Sequence, residues 1–146
     1  MTISIEDMLA ERSIYRNLVA FARAMDERDW DAFAGFTSED MTASMGRGEL
    51  QGRDTIVRFM RSFLVHCGPT QHLLGNVIID VDGDSAKSSA YVHDMHLGSG
   101  DQSGLRFYTL GKYYDEWKKI DDGWRMVRRV KENPAFVGSM EIFNNA

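Results

Sequence analysis

The stretch from Thr70 to Leu97, TQHLLGNVIIDVDGDSAKSSAYVHDMHL, decides the fold. Residues 72–81 and 85–97 read as strands, and Asp82-Gly83 between them is a hairpin turn. The pattern repeats downstream. A Gly/Ser loop at 98–104 leads into a third long strand, 105–120, and Asp121-Asp122-Gly123 turns the chain into a fourth, 124–131. Pro134 interrupts before a last apolar piece, 136–143. One residue sits oddly in this meander. His72 shares its side of the strand with Leu74 and Ile78, so the imidazole heads for a packed face rather than for solvent.

Upstream the periodicity is helical. Ser4-Ile5-Glu6-Asp7 fits a capping box and predicts a helix starting at Ile5. Met8, Leu9, Tyr15, Leu18, Val19, Ala22 and Met25 recur every three or four residues and predict its buried stripe, with Asp26 on the inward face. Asp29 is placed to cap a short second helix, a strand is expected near 41–45, and a third helix follows Gly52 until Gly68-Pro69 stops it. Helices first and an antiparallel meander afterwards define an α+β fold, with three N-terminal helices covering the concave face of a curved sheet. Residues 1–146 read as one domain.

Composition excludes several functions. With 43% hydrophobic and 27% charged residues among 146, and a net charge of -5, the chain carries no basic footprint for nucleic acid. No apolar run is long enough to span a bilayer. A lone cysteine, Cys67, and the lack of an apolar N-terminal stretch point to the cytoplasm. His93 and His96 fall on opposite faces of a strand, which argues against a zinc site. Gly46-Arg47-Gly48 reads as a surface turn.

A carboxylate on a buried stripe needs a partner, and so does an imidazole on a packed strand. If the first helix covers the sheet, Asp26 accepts from one ring nitrogen of His72 and leaves the other free as a base. The residues alone leave a structural pair and a catalytic dyad both open.

The order of elements, together with MDERDWDAF (25–33), TQHLLGN (70–76), HDMHLG (93–98) and YDEWKKIDDGWRMVRR (114–129), resembles the SnoaL-like branch of the nuclear transport factor 2-like superfamily. Within it, the chain resembles scytalone dehydratase and lindane dehydrochlorinase. It implies a cone-shaped α+β barrel with a cofactor-free active site. It assigns catalytic roles to Asp26, His72, His96 and Arg129, where Arg129 would stabilise developing negative charge and His96 would donate to a leaving oxygen or orient a water. Regular alternation lets only one of Arg128 and Arg129 enter the cavity. Met25 and Met45 replace the dehydratase's substrate-positioning tyrosines, Gly111 and Tyr113 replace a serine and an asparagine, and Phe21 stands where the dehydrochlorinase has a lysine. The expected substrate-binding set is Tyr15, Met25, Met45 and Tyr113, with Tyr113 or Tyr15 a further candidate to stabilise negative charge.

The expected activity is a cofactor-independent lyase of dehydratase type acting on a small cyclic or aromatic molecule. Retro-aldol cleavage or isomerisation of an aryl substrate, and a non-catalytic binding or accessory role, are the alternatives. Exposed apolar residues on the outer sheet face and in the 136–143 tail point to a homo-oligomer, a trimer ahead of a dimer.

Overall fold

The computed structural model describes residues 2–144. Its elements are α1 (Ile5–Glu27), β1 (Thr37–Ser44), β2 (Glu49–Gln51), α2 (Arg53–Leu64), β3 (Thr70–Asp82), β4 (Ser85–Leu97), β5 (Arg106–Ile120), β6 (Gly123–Glu132) and β7 (Phe136–Gly138). The strand order is β2-β1-β6-β5-β4-β3, with β7 paired to β5. All neighbours run antiparallel except β1, which lies parallel to β6. The sheet is curved and open, so the expected barrel is a cone left unclosed between β2 and β3. Two α-helices pack on it, and the expected second helix is a 3₁₀ turn, Trp30–Gly35, that Asp29 precedes without a side-chain cap.

The capping box forms, with Asp7 N donating to Ser4 Oγ at 3.0 Å and Ser4 N to Asp7 Oδ2 at 3.2 Å. The buried stripe of α1 is rotated from the predicted one. It runs through Ala10, Ile14, Leu18, Phe21 and Met25, while Met8, Leu9 and Tyr15 face outward. The reason is Phe21. Its ring meets Phe33 at 4.8 Å and Phe36 at 5.8 Å, and this aromatic cluster fixes which side of the helix faces the sheet.

Two irregularities decide which strand residues point inward. In β3 the register shifts between Gly75 and Ile78, where Asn76 adopts a positive φ of 49°. His72 and Leu74 face inward before the bulge, Val77 and Ile79 after it, and Ile78 turns out to solvent against the expected alternation. In the pairing of β5 with β6, Glu116 opposes Arg128 and Trp117 opposes Met126, leaving Val127 as the extra residue. Trp124 and Met126 point inward before it, and Arg129 rather than Arg128 is buried beyond it. Arg128 instead bonds Glu49 and Thr42 near the edge of the sheet.

Arg129 is then sealed. Its Nε and Nη2 donate to Asp115, the residue directly opposite on β5, at 2.8 and 2.9 Å. Its guanidinium lies 4.2 Å from the Phe21 ring and 3.6 Å from the Tyr113 ring. Burial opposes the charge on Arg129, but Asp115 more than offsets it and holds the proton more firmly than on a free arginine. Burial pushes the Asp115 carboxyl upward and Arg129 pulls it back; the two-pronged geometry is that of an ionised pair. Breaking such a pair strands one charge in the core. Asp115→Ala is expected to lower unfolding free energy by about 3–5 kcal/mol, while the apolar double replacement Asp115→Leu with Arg129→Met loses much less; urea denaturation of both variants checks this.

Candidate active site

Position and spacing bring the first functional pair together. Thr70 and His72, two residues apart on β3, face the same way, and α1 ends across from them. Thr70 Oγ1 donates to Asp26 Oδ1 at 2.9 Å, the His72 backbone N donates to Oδ2 at 3.0 Å, and His72 Nδ1 lies 2.7 Å from Oδ1. Arg28 braces the arrangement. It closes α1 in the left-handed conformation, φ 58°, and its guanidinium donates to Met25 O, Thr70 Oγ1 and Gly68 O at 2.7, 2.8 and 3.0 Å.

Asp26 sits on the shoulder of α1, not at the centre of its buried stripe. It continues the column Tyr15, Val19, Ala22, which forms one wall of an outer groove against β3, and its side chain is 20% exposed. Burial acts to raise its pKa, but the bonds from the His72 ring, the His72 backbone and Thr70 outweigh that and hold the carboxyl below its usual range. An ionised carboxylate only accepts, so Nδ1 of His72 carries a proton, and in the neutral ring Nε2 is the bare nitrogen. The His72 side chain, 4% exposed, lines a cavity of about 270 Å³ on the far side from Asp26.

That cavity is mostly apolar. Phe59, Met60 and Phe63 of α2 form one wall, Met25 and Met45 another, and Phe107 and Phe143 close over His96 at ring distances of 5.9 and 5.3 Å. Arg47 stands at the rim over the Phe63 ring, 5.1 Å away. Tyr113 reaches the cavity as expected, and its burial pushes the hydroxyl pKa upward, so it stays protonated. Tyr15 does not. It is 42% exposed on the outer face of α1, because the rotated stripe turns it away from the sheet interior.

Of the polar residues expected here, Asp26, His72 and His96 come together, and the rings of His72 and His96 meet edge to face at 5.4 Å. His93 points to the opposite face, against Tyr108. Arg129 lines the cavity, with Nε and Nη2 committed to Asp115 and the residue 1% exposed. Burial, with help from His72 and Lys131 and against the pull of Asp94, lowers the His96 pKa to about 4. His96 Nδ1 lies 3.3 Å from Phe107 O, which favours the proton on Nδ1 and leaves Nε2 an acceptor. A neutral acceptor can orient a hydroxyl or a water; it is a poor acid.

Sequence reasoning missed Asp94, Thr109 and Lys131. Asp94 is two residues before His96 and directly opposite His72, on the same inward face. Its Oδ1 accepts from Thr109 N at 3.0 Å and from Thr109 Oγ1, and its Oδ2 from Lys131 Nζ at 2.5 Å. Burial works to raise Asp94, but Lys131, Thr109 and His96 together hold its pKa below the usual value. Strand alternation from His96 back to Asp94, and from Arg129 on to Lys131, was the available signal. His72, Asp94 and His96 offer atoms within 4.8 Å of one another, a donor set that a divalent ion uses. The ammonium of Lys131 already meets that carboxylate, so a metal ion has to displace a resident cation and fits the cluster poorly.

A family model described as a SnoaL-like domain matches residues 6–130. The chain belongs to the SnoaL-like family. An uncharacterised protein of Mycobacterium tuberculosis is 29% identical to this SnoaL-like chain over 131 residues, covering 88% of each. Among solved structures, a candidate aromatic ring hydroxylase from Novosphingobium aromaticivorans superposes with a TM-score of 0.82 at 25% identity, covering 97% of this chain and 99% of that one. A candidate scytalone dehydratase from the same species gives 0.81 at 21% identity over 91% and 89%. The hexachlorocyclohexane dehydrochlorinase of Novosphingobium barchaimii gives 0.80 at 16% identity over 93% and 94%. The last two likenesses speak for the SnoaL-like fold. Among the described residues, no helix is long and apolar enough to cross a membrane.

The electrostatics of this SnoaL-like cavity yield a spectroscopic expectation. His96 ring resonances should keep their neutral-form NMR shifts from about pH 8 to about pH 5 and titrate near 4; a midpoint at the free-histidine value contradicts the burial argument. The sign for stability follows. The unfolded chain binds this proton first, so the folded state loses stability as pH falls from about 6.5 towards 4.

Proposed function

We propose that the protein is a cofactor-independent lyase that removes water from a small cyclic or aromatic molecule. The observation that carries this reading is the 2.7 Å contact of Asp26 with His72 at the wall of an apolar cavity, which leaves Nε2 as a bare base facing that cavity. In the proposed step Nε2 takes a proton from carbon. The C–H pair becomes the new double bond as the C–O bond breaks, Asp26 stabilises the imidazolium, and that imidazolium returns its proton to the departing hydroxide. Water leaves and His72 is neutral again. The His96 acceptor orients the substrate hydroxyl, and Met25, Met45 and Tyr113 shape the walls.

The test is product analysis after incubation with a panel of hydroxylated cyclic ketones and aromatic diols. His72→Ala and Asp26→Asn should each lower turnover at least about a hundredfold, with the circular dichroism spectrum unchanged. Saturable binding without turnover, equal in wild type and His72→Ala, supports a carrier instead.

The reading includes self-assembly, with a trimer as the expected state. Leu73, His93 and Leu110 are cross-strand neighbours on the outer face, beside exposed Tyr91 and, on β7, exposed Phe136 and Val137. Exposed apolar residues grouped around His93 in this way support the reading of an association surface. Leu110→Asp should convert the assembly to monomers in size-exclusion chromatography with light scattering, and a wild type that is already monomeric rejects this part of the reading.

A further inference from the structure

Two cations on β6 reach the cavity, and they are in different states. Arg129 uses Nε and Nη2 on Asp115 and has aromatic rings over its guanidinium. Lys131, two residues on, donates to Asp94, its only hydrogen-bond acceptor recorded among the described residues. An ammonium carries three donors, so two remain for a ligand. Its side chain is 14% exposed and lines the same cavity as His72 and His96.

The surroundings hold this ammonium in place. Thr109 anchors the Asp94 carboxylate from the other side by backbone and hydroxyl. Gly111 clears the path of the lysine stem. A Cβ at 111 would lie 2.7 Å from Val92 Cγ1 and 3.2 Å from Lys131 Cε, so any larger residue there crowds the stem. Asp94 is the β4 partner of His72, which brings the ammonium and the base into one corner of the cavity.

We infer that Lys131, positioned by Asp94, is the group that binds the oxygen on which negative charge develops, and that the substrate is therefore an enolisable carbonyl compound or its phenolic counterpart. This rests on the lyase reading and narrows it. As His72 Nε2 takes the proton, the C–H pair forms a carbon–carbon double bond and the carbonyl pair moves onto oxygen beside Lys131 Nζ. The carbonyl then re-forms, the enolate C=C pair becomes the new double bond to the β-carbon, and the C–O bond there breaks, its pair leaving with hydroxide that takes the proton back from the His72 imidazolium. A preorganised cation at that oxygen favours carbonyl-activated substrates over rings whose only handle is a leaving group. The same enolate is common to loss of water and to isomerisation, so Lys131 fixes the carbonyl and not the leaving group.

The experiment uses 4-nitrophenol as the probe, since its phenolate and phenol absorb at different wavelengths. Full-length protein carrying His72→Ala is titrated with the probe, so that proton transfer to His72 contributes nothing and the outcome is independent of turnover. The bound probe should ionise at a pH at least about one unit lower than in the double variant with Lys131→Met, a tenfold difference in the ionised ratio. Lys131→Arg in the same background should keep most of the shift. Equal midpoints with and without the lysine, or no saturable binding when Lys131 is present, overturn the inference. If Lys131→Met does not fold, the Lys131-containing protein decides alone: a bound midpoint above that of free 4-nitrophenol is what an apolar cavity without a usable cation gives, and refutes it. A shift that appears in protein lacking turnover on every carbonyl substrate upholds the oxyanion site and sinks only the lyase reading.

Discussion

A carboxylate at the end of a helix can leave water only where donors wait for it, and Asp26 meets three on one strand. The Thr70 hydroxyl, the His72 amide and the His72 ring all converge on its two oxygens. That demand sets where α1 stops and how it lies on β3, and Arg28 reinforces the junction from the backbone side. The consequence is functional as well as architectural. The same contacts that satisfy the carboxylate lock the imidazole tautomer and turn its free nitrogen to the interior.

Deeper in the cone, two cations of the described residues are each held in a pair. Arg129 faces Asp115, Lys131 faces Asp94, and each pair spans neighbouring or nearby strands, so that neither cation is left alone in an apolar surround. The pairs differ in what they leave over. The guanidinium matches its carboxylate with two bonds and is covered by rings, which makes it part of the wall. An ammonium met by one carboxylate oxygen retains two donors, and on the inference drawn above they serve a ligand. Charge alone does not distinguish the two cations; cover does, since Arg129 is 1% exposed beneath the Phe21 and Tyr113 rings and the Lys131 side chain is 14% exposed at the cavity.

Much of this was legible in the sequence because it depends on local period and on turn residues. The hairpin around Asp82-Gly83, the capping box at Ser4 and the stop at Gly68-Pro69 are local signals, and each was realised. The pairing of Asp26 with His72 was also readable, since each is a polar residue beside an apolar face and each needs the other. What escaped was set by non-local packing. Tyr15 was misassigned because the stripe of α1 is chosen by Phe21 against Phe33 and Phe36, not by the density of apolar residues in the helix. The choice of Arg129 over Arg128 depends on the extra residue Val127, and a bulge leaves no mark in a run such as WRMVRRVK.

The neutral state of His96 constrains any elimination run in this cavity. With its pKa near 4 and Nδ1 turned to Phe107, His96 has no proton to offer a leaving group at neutral pH. Tyr113, held protonated by burial, is a weak acid, and the Lys131 ammonium is engaged with the Asp94 carboxylate. On the proposed reading, the proton that reaches the departing hydroxide is therefore the one His72 has just taken from carbon. A single nitrogen can serve both atoms only if they leave from the same face of the ring. The cavity's chemistry thus ties the stereochemistry of elimination to the burial of a second histidine that touches neither proton.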